Sequence, residues 1–462
     1  MRQKMGTCEA SSARDLEIAT PLAPSGDMLP ELSPFQEYYL SPDRKGAAAD
    51  NLVMAFRLSG RLDVAALDEA IRQLVARHVL LRTRFQVDRS GQTRPFTCSP
   101  AAVTVDVRDE PGLSQAERAE CAAHWFYLIE ESLLDLFVDV PCRCMRLGFS
   151  RDDHALILSV HHVAADGWSL RVLLRDLAEL YKANVERRSS NLPALTGEFS
   201  EYAAWHKGHL RAGQFAAAAA YWRQQLAGVP IGLALAESKV RSPDGLEHLH
   251  FAVDAATTSL LHAACRTLRV TSFMALLAAL QFSLAHLSRR DDIAIYTLLA
   301  NRVYPGSENL AGPFMNPTVI RSQVGRVATF TGLLEEMREV LVAGLHYQDA
   351  PYWLLRRRVS ELERIHNAPL PQAVFNLSQG PLDMDLAPHL VCTNIRLPGR
   401  RMRTGLRLDI AAGASGGLAG HLQFKPGVFA QETVAAIARL LTKVLEVVAR
   451  QPAVELSRLG AL

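Results

Sequence analysis

The chain has 462 residues, 49% of them hydrophobic and 21% charged, and its 50 basic side chains nearly balance 48 acidic ones for a formal charge of +2. That apolar fraction excludes an intrinsically disordered chain, and a charge this near zero gives no global electrostatic reason to bind nucleic acid or a membrane surface. The length fits two or three domains, or two lobes sharing one core.

Residues 1–28 are polar and small, with Pro21, Pro24 and Gly26 near their end, and read as a flexible leader. Ser33 is placed to cap a short helix with Pro34 at its first position. A strand follows over residues 51–58, turned by Ser59 and Gly60. Asp63 then caps a helix whose Leu67, Ala70, Ile71, Leu74 and Val75 fall on one face. A strand at 81–87 ends toward a turn at Gly91, and a second helix covers about 114–132. Strands at 142–149 and 155–160 flank a turn at Arg151, Asp152 and Asp153, and residues 169–185 are helical again. A loop at 191–196 precedes helices through Trp205 and Trp222, which end at Gly228 and Pro230.

The second half repeats the style. Helices at 256–268 and 271–287 lead to a strand at 293–299, then to helices from about Phe330 and near Pro351. Strands at 373–377 and 406–411, a hairpin turn at 413–417 and a helix over 431–450 close the chain. This alternation predicts an α/β protein of two lobes meeting near residue 190: a leader at 1–28, an N-terminal lobe at 29–190 and a C-terminal lobe at 191–462.

Seven cysteines, Cys8, Cys98, Cys121, Cys142, Cys144, Cys265 and Cys392, are scattered without a Cys-x-x-Cys pair. A disulfide framework or structural zinc site would show paired spacing, so reduced, mostly buried thiols and no metal are expected. The N-terminus lacks the apolar run of a signal peptide. The most apolar stretch, residues 273–287, is interrupted by Gln281, Ser283 and His286 and is too short to span a bilayer. A cytoplasmic protein is expected.

One segment concentrates chemistry. The apolar run from Ala155 to Val160 leads directly into His161, His162, Val163, Ala164, Ala165, Asp166, Gly167, Trp168 and Ser169. Such a run reads as a strand buried on both faces, and polar groups at its end lie where ligand clefts form. Successive strand residues point to opposite faces, so the two imidazoles do not share one small ligand. One working and one structural histidine follow, which argues against a two-histidine metal site. Histidine trades protons near neutral pH. Asp166 is suited to orient an imidazole, cap the next helix or pair with an arginine, and Gly167 to permit a tight turn. The competing reading is a satisfied core histidine pair beside an Asp-Gly turn.

The segment resembles the His-His-x-x-x-Asp-Gly signature of nonribosomal peptide synthetase condensation domains, shared with acyltransferases of the chloramphenicol acetyltransferase-like superfamily. Four further blocks match in family order: Leu32 to Gln36, Arg77 to Phe85, Tyr221 to Leu226, and Asn301-Arg302 followed by Gly312 to Asn316. The resemblance implies two chloramphenicol acetyltransferase-like lobes in a V-shaped pseudo-dimer with a central substrate tunnel. It implies transfer of an acyl or aminoacyl group from a carrier-protein thioester to an amine or hydroxyl, in nonribosomal peptide or hybrid polyketide biosynthesis. His162 would act at the centre, with His161, Asp166 and Gly167 completing the catalytic motif, Trp168 and Asn316 contacting substrate, and Arg302 forming a structural ion pair with Asp166.

No bound cofactor is implied, because substrates ride on the phosphopantetheine of partner acyl or peptidyl carrier proteins. Candidate contacts for these acidic partners are Arg356, Arg357 and Arg358, and Arg400, Arg401 and Arg403, although a solvated face is the plainer reading. A free-standing monomer is expected. The continuation Trp168-Ser169 is closer to condensing members than to epimerisation domains. The Asp-Phe-Gly-Trp-Gly of plant acyl-CoA acyltransferases is not matched at Asp409 to Gly413. Two other roles stay open: a chain-releasing acyltransferase using a free amine or alcohol, and a catalytically silent recruitment domain.

Overall fold

The computed structural model describes residues 29, 31–41, 50–233, 235, 245–367, 373–378, 380, 382, 384–387, 389–400, 402, 404–413 and 415–461. The expected leader, Cys8, Arg401 and Arg403 lie outside them.

Side-chain caps decide where the early helices begin. Ser33 Oγ accepts from the Gln36 amide at 3.2 Å while Gln36 Oε1 accepts from the Ser33 amide at 3.0 Å, a reciprocal box opening α1 (Pro34–Tyr39). Strand β1 (Asn51–Gly60) ends at Gly60, where φ is +121° and a Cβ would sit 2.2 Å from the His389 carbonyl oxygen, so only glycine fits. Asp63 accepts from the Ala66 amide at 3.0 Å and opens α2 (Val64–Arg77). The strand expected from residue 81 starts later, because a 3-10 turn over Val79–Arg82 precedes β2 (Thr83–Val87).

Next come β3 (Thr93–Thr97), β4 (Val105–Asp109), α3 (Gln115–Glu131), β5 (Cys142–Ser150), β6 (Asp153–His161), α4 (Gly167–Glu186), α5 (Phe199–His209) and α6 (Phe215–Gln225). The later chain forms β7 (Glu247–Val253), α7 (Ala255–Leu268), α8 (Ser272–Ser288), β8 (Asp292–Leu299), β9 (Asn316–Gln323), α9 (Phe330–His346), α10 (Tyr352–Arg356) and α11 (Ser360–His366). It ends with β10 (Ala373–Leu377), β11 (Leu390–Asn394), β12 (Leu406–Ala412), β13 (Leu418–Phe424), α12 (Gln431–Arg450) and α13 (Leu456–Leu459).

Two compact units result, and they do not divide at residue 190. The first takes Met1–His209, Arg302–Met315 and Leu382–Pro398; the second takes Leu210–Asn301, Asn316–Pro381 and Gly399–Leu462. The cause is packing. Phe199, Tyr202 and Phe314 share the core of the first unit, and β11 pairs with β1, so three stretches beyond residue 190 belong there.

In the first unit the strand order is β11-β1-β6-β5-β4, which places β6 in the middle, antiparallel to β1 and β5. Every residue of β6 is buried, as its unbroken apolar run requires. On one face pack Leu67, Ile71 and Leu74 of α2 with Leu170, Leu173 and Leu177 of α4; on the other, Trp125, Phe126 and Ile129 of α3 meet Met145, Leu147 and Ile157. The Asn51 amide donates to the carbonyls of Ile129 (3.1 Å) and Ser132 (2.8 Å), satisfying orphan acceptors at the end of α3.

In the second unit the order is β7-β13-β12-β10-β8-β9, with β10 parallel to β12 and β8. Apolar residues of α7, α8, α9 and α12 form its main core, while α6, α10 and α11 pack with Ala294 and Val319 of β8 and β9. Gln281, which interrupts the apolar stretch, is fully buried in α8. It donates to the Ile293 and Ile320 carbonyls and accepts from Ser322 Oγ at 2.8 Å. Among the described residues no single helix is long and apolar enough to cross a membrane. Cys98, Cys121, Cys142, Cys144 and Cys265 are buried thiols and Cys392 is half-buried.

Candidate active site

Strand β6 runs out at His161, and the chain turns at once. The His161 amide donates to the Pro141 carbonyl and the His162 amide to the Asp50 carbonyl, each at 2.8 Å. These bonds hold the strand end between the two neighbouring segments.

The two imidazoles have different surroundings. His161 is buried, and its Nδ1 accepts the Val163 amide at 3.0 Å, so the neutral ring carries its proton on Nε2. His162 is half-buried, with Nδ1 at 3.2 Å from the Ala165 carbonyl oxygen. A carbonyl only accepts, so Nδ1 is the donor in this bond, and in the neutral ring Nε2 is the basic nitrogen. Tyr39 stacks on His162 at 5.7 Å and 2°, and meets His161 edge-on at 5.9 Å and 80°. The two rings thus stand at a steep angle to each other beside one tyrosine, His161 buried and His162 half-buried.

Asp166 does not touch either imidazole. Its carboxylate caps α4 by accepting the Ser169 amide at 2.8 Å and the Ser169 hydroxyl at 2.7 Å, both on Oδ1. Arg302 Nη2 donates to the same oxygen at 2.8 Å, and Oδ2 accepts the amides of Phe314 (3.1 Å) and Met315 (3.0 Å). Five donors around a carboxylate only 1% exposed compensate its burial. These bonds hold the turn after His162, and they include the expected ion pair of Asp166 with Arg302.

Arg302 completes this knot. Its Nη1 donates to the Ser307 (2.5 Å) and Leu310 (2.6 Å) carbonyls, and its guanidinium lies 3.9 Å over the Phe314 ring. Burial pulls the guanidinium below its ordinary pKa, and the Asp166 charge acts in the opposite direction. Ser169, absent from the expected site, is a hub: its fully buried hydroxyl accepts from Arg302 and from the Gly312 amide, each at 3.0 Å. The Asp-x-x-Ser spacing was its only sequence signal.

Gly167, Trp168 and Asn316 are the other expected site residues. Gly167 does not have a positive φ, and a methyl group placed on it would meet nothing within 4 Å, so backbone geometry does not require glycine there. Trp168 is half-buried and donates its indole N–H to the Glu308 carbonyl at 3.0 Å, tying α4 to the 302–315 segment. Asn316, in the second unit, spends its amide on backbone: Nδ2 donates to the Gln348 and Ala350 carbonyls at 2.8 and 2.7 Å, and Oδ1 accepts the Tyr352 amide at 3.0 Å. These hydrogen bonds hold the segment from Gln348 to Tyr352 at the start of β9.

A second buried knot lies further along α4. Asp176, fully buried, pairs with His78 Nε2 and Arg77 Nε, each at 2.9 Å, and with Arg175 Nη2 at 2.7 Å. These bonds join α2 to α4. Among the described residues no set of three His, Cys, Asp or Glu side chains is placed to hold a metal ion.

A mixed α/β chain with a histidine pair ending a central strand and an Asp-Arg knot behind it has the architecture of condensation domains. The family model described as "Condensation domain" matches residues 28–462, and the chain belongs to that family. Among solved structures, the X-domain from teicoplanin biosynthesis is similar at a TM-score of 0.77 and 26% identity, covering 96% of this chain and 99% of that one. The first condensation domain of the calcium-dependent antibiotic synthetase shares the fold at a TM-score of 0.73 and 18% identity, over 94% and 99% of the two chains. Among curated relatives, the isonitrile lipopeptide synthase of Mycobacterium tuberculosis is 28% identical over 443 residues, 92% of this chain and 17% of that protein. The chain spans about a sixth of that relative's length, and it belongs to the condensation domains found in nonribosomal peptide synthetases.

Proposed function

We propose that the protein transfers an acyl or aminoacyl group from a carrier-protein thioester to an amine or hydroxyl acceptor, with His162 acting on the nucleophile. The observation that carries this reading is the setting of His162: it follows the fully buried central strand, is itself half-buried, and turns Nδ1 to the Ala165 carbonyl, so that in the neutral ring Nε2 is the basic nitrogen. In the reaction the acceptor attacks the thioester carbonyl, its proton passes to Nε2, and the tetrahedral intermediate collapses with cleavage of the C–S bond, the phosphopantetheine thiolate taking that proton from Nε2 and leaving as the thiol. An α-amine, with a pKa of about 8, is already partly neutral and needs this base less than a hydroxyl does. For an amine the same imidazole serves to position the nucleophile and stabilise the intermediate.

The carrier protein is the expected partner, and a cytoplasmic monomer is the expected setting. Arg357 and Arg358 are exposed beside α10, with Arg357 over the Trp353 ring at 5.2 Å, and Arg356 pairs with Glu363 at 2.9 Å. The first two are the better candidates for an acidic carrier surface.

A second reading is recruitment of a protein partner without catalysis, favoured by the likeness to an X-domain solved in complex with OxyB. Intact-protein mass spectrometry of an acyl-loaded carrier separates the readings. Under the proposal the load leaves the carrier for an amine, alcohol or second carrier, and His162→Ala abolishes transfer while remaining folded. Full transfer by His162→Ala would remove the histidine from the mechanism. A load that persists with the wild-type chain across a panel of acceptors would favour recruitment.

A further inference from the structure

The sheet of the second unit carries a cluster of imidazoles on the side opposite its helix-packed core. Along β13, Leu418, Leu422 and Phe424 belong to the core, whereas His421 points the other way. Its direct cross-strand neighbour is His250 of β7, and His248 lies two residues away on the same face. His250 stacks on His421 at 4.4 Å and 6°, and His248 Nδ1 lies 3.0 Å from His421 Nε2.

We propose that His248 Nδ1 and His421 Nε2 form a two-histidine site for a divalent transition-metal ion, of the zinc, nickel or copper(II) class. Two nitrogens each about 2.1 Å from one ion stand about 3.0 Å apart at the right angle of a tetragonal nickel or copper(II) site, and about 3.4 Å apart at the tetrahedral angle of zinc. The observed separation therefore already matches the tetragonal edge between adjacent ligands. Binding requires one ring to move its proton from the shared N–H···N bond to its other nitrogen, and both rings to turn so that the two lone pairs converge on the ion.

The surroundings suit a cation of this kind. Asp409 stands opposite His421 on β12, held by Arg407 at 2.8 Å and by the Asn376 amide at 3.1 Å. The Arg407 charge facing the site is thus offset by its own carboxylate partner, so the pair leaves little net charge beside His421. The His250 ring, also on β7, stacks on His421 beside the pair. Among the described residues no third ligand converges with the pair, so water completes the coordination. Imidazole donors favour copper(II) over nickel over cobalt in affinity.

The test uses the untagged full chain, titrated with nickel chloride and with zinc chloride by calorimetry at neutral pH. The expected result is saturable binding of one ion per chain, weakened tenfold or more in His248→Gln and in His421→Gln, and unchanged in His286→Gln on α8. Copper(II) electron paramagnetic resonance on the wild-type chain should show two nitrogen ligands, a readout that needs no variant. Absence of saturable binding, or binding unchanged in the folded His248→Gln/His421→Gln double variant, would overturn the site.

Discussion

Asp166 and Arg302, 136 residues apart in the chain, meet at 2.8 Å with side chains only 2% and 6% exposed. Nearly all the charge on both sides is withdrawn from water, so each residue depends on the other. Breaking a buried pair by removing one partner costs about 3–5 kcal/mol. Asp166→Ala is therefore expected to lose several kcal/mol in urea unfolding, and Arg302→Ala a comparable amount. The double variant should fall short of the sum of the two, because each single change leaves an uncompensated charge. A loss below 1 kcal/mol for both single variants would mean that the knot does not hold the turn.

Gly167 separates folding from function. Its backbone suits any residue, and the space beyond its Cα is open. Gly167→Ala should leave the melting temperature within a degree or two of wild type. If that open space is used by substrate, kcat/KM falls in the same variant. An unfolded Gly167→Ala protein would contradict the open-space reading.

Asn316 offers the opposite case. Its three backbone hydrogen bonds all go to residues 348, 350 and 352. Asn316→Ala leaves two carbonyls and one amide without this partner, at about 1–3 kcal/mol for each group that stays buried and unsatisfied. Thermal unfolding should register this loss, while KM, measured where the variant is folded, stays near wild type. A tenfold rise in KM with an unchanged melting temperature would restore the substrate-contact role.

Acid should reveal the ion pairs at the start of β6. Burial alone would raise the Asp153 carboxyl, but hydrogen bonds from Arg57 and Arg118 outweigh it and hold the group below its ordinary value. A folded pKa below the unfolded one means that the unfolded chain takes up the proton first as pH falls. The contribution is complete above about pH 4, the ordinary aspartate value. It is lost as pH drops through the folded value. Melting temperatures measured from pH 6 to pH 2 should fall less steeply below pH 4 in Asp153→Asn than in wild type. Parallel curves would show that Asp153 titrates alike in both states.

Much of this was readable from sequence where the signal is local. The expected helix at 431–450 has the same bounds as α12, because its apolar stripe is strong and keeps one helical face along its whole length. The caps at Ser33 and Asp63 followed from residue type and spacing. Strands β3, β4, β7, β9 and β11 were not read. β4 is a mostly exposed edge with charges at alternate positions, β9 carries Pro317 on an edge strand, and β11 is five residues long with a partner far away in sequence.

The site divided in the same way. Its histidines stood out, and resemblance supplied Arg302 as the partner of Asp166. Tyr39 and the Ser307 and Leu310 carbonyls had no periodic or motif signal. They reach the site through irregular backbone and tertiary packing.

The pairing of β1 with β11 also bears on how the protein is made. As the ribosome works from the N-terminus, β1 emerges with one edge lacking its final neighbour, and β2 through β10 are all synthesised before that neighbour exists. An unpaired strand edge templates association with other chains. The nascent first unit is consequently exposed to misassembly until translation passes residue 394, and its maturation depends on a late, long-range closure that a fragment ending before Leu390 can never make.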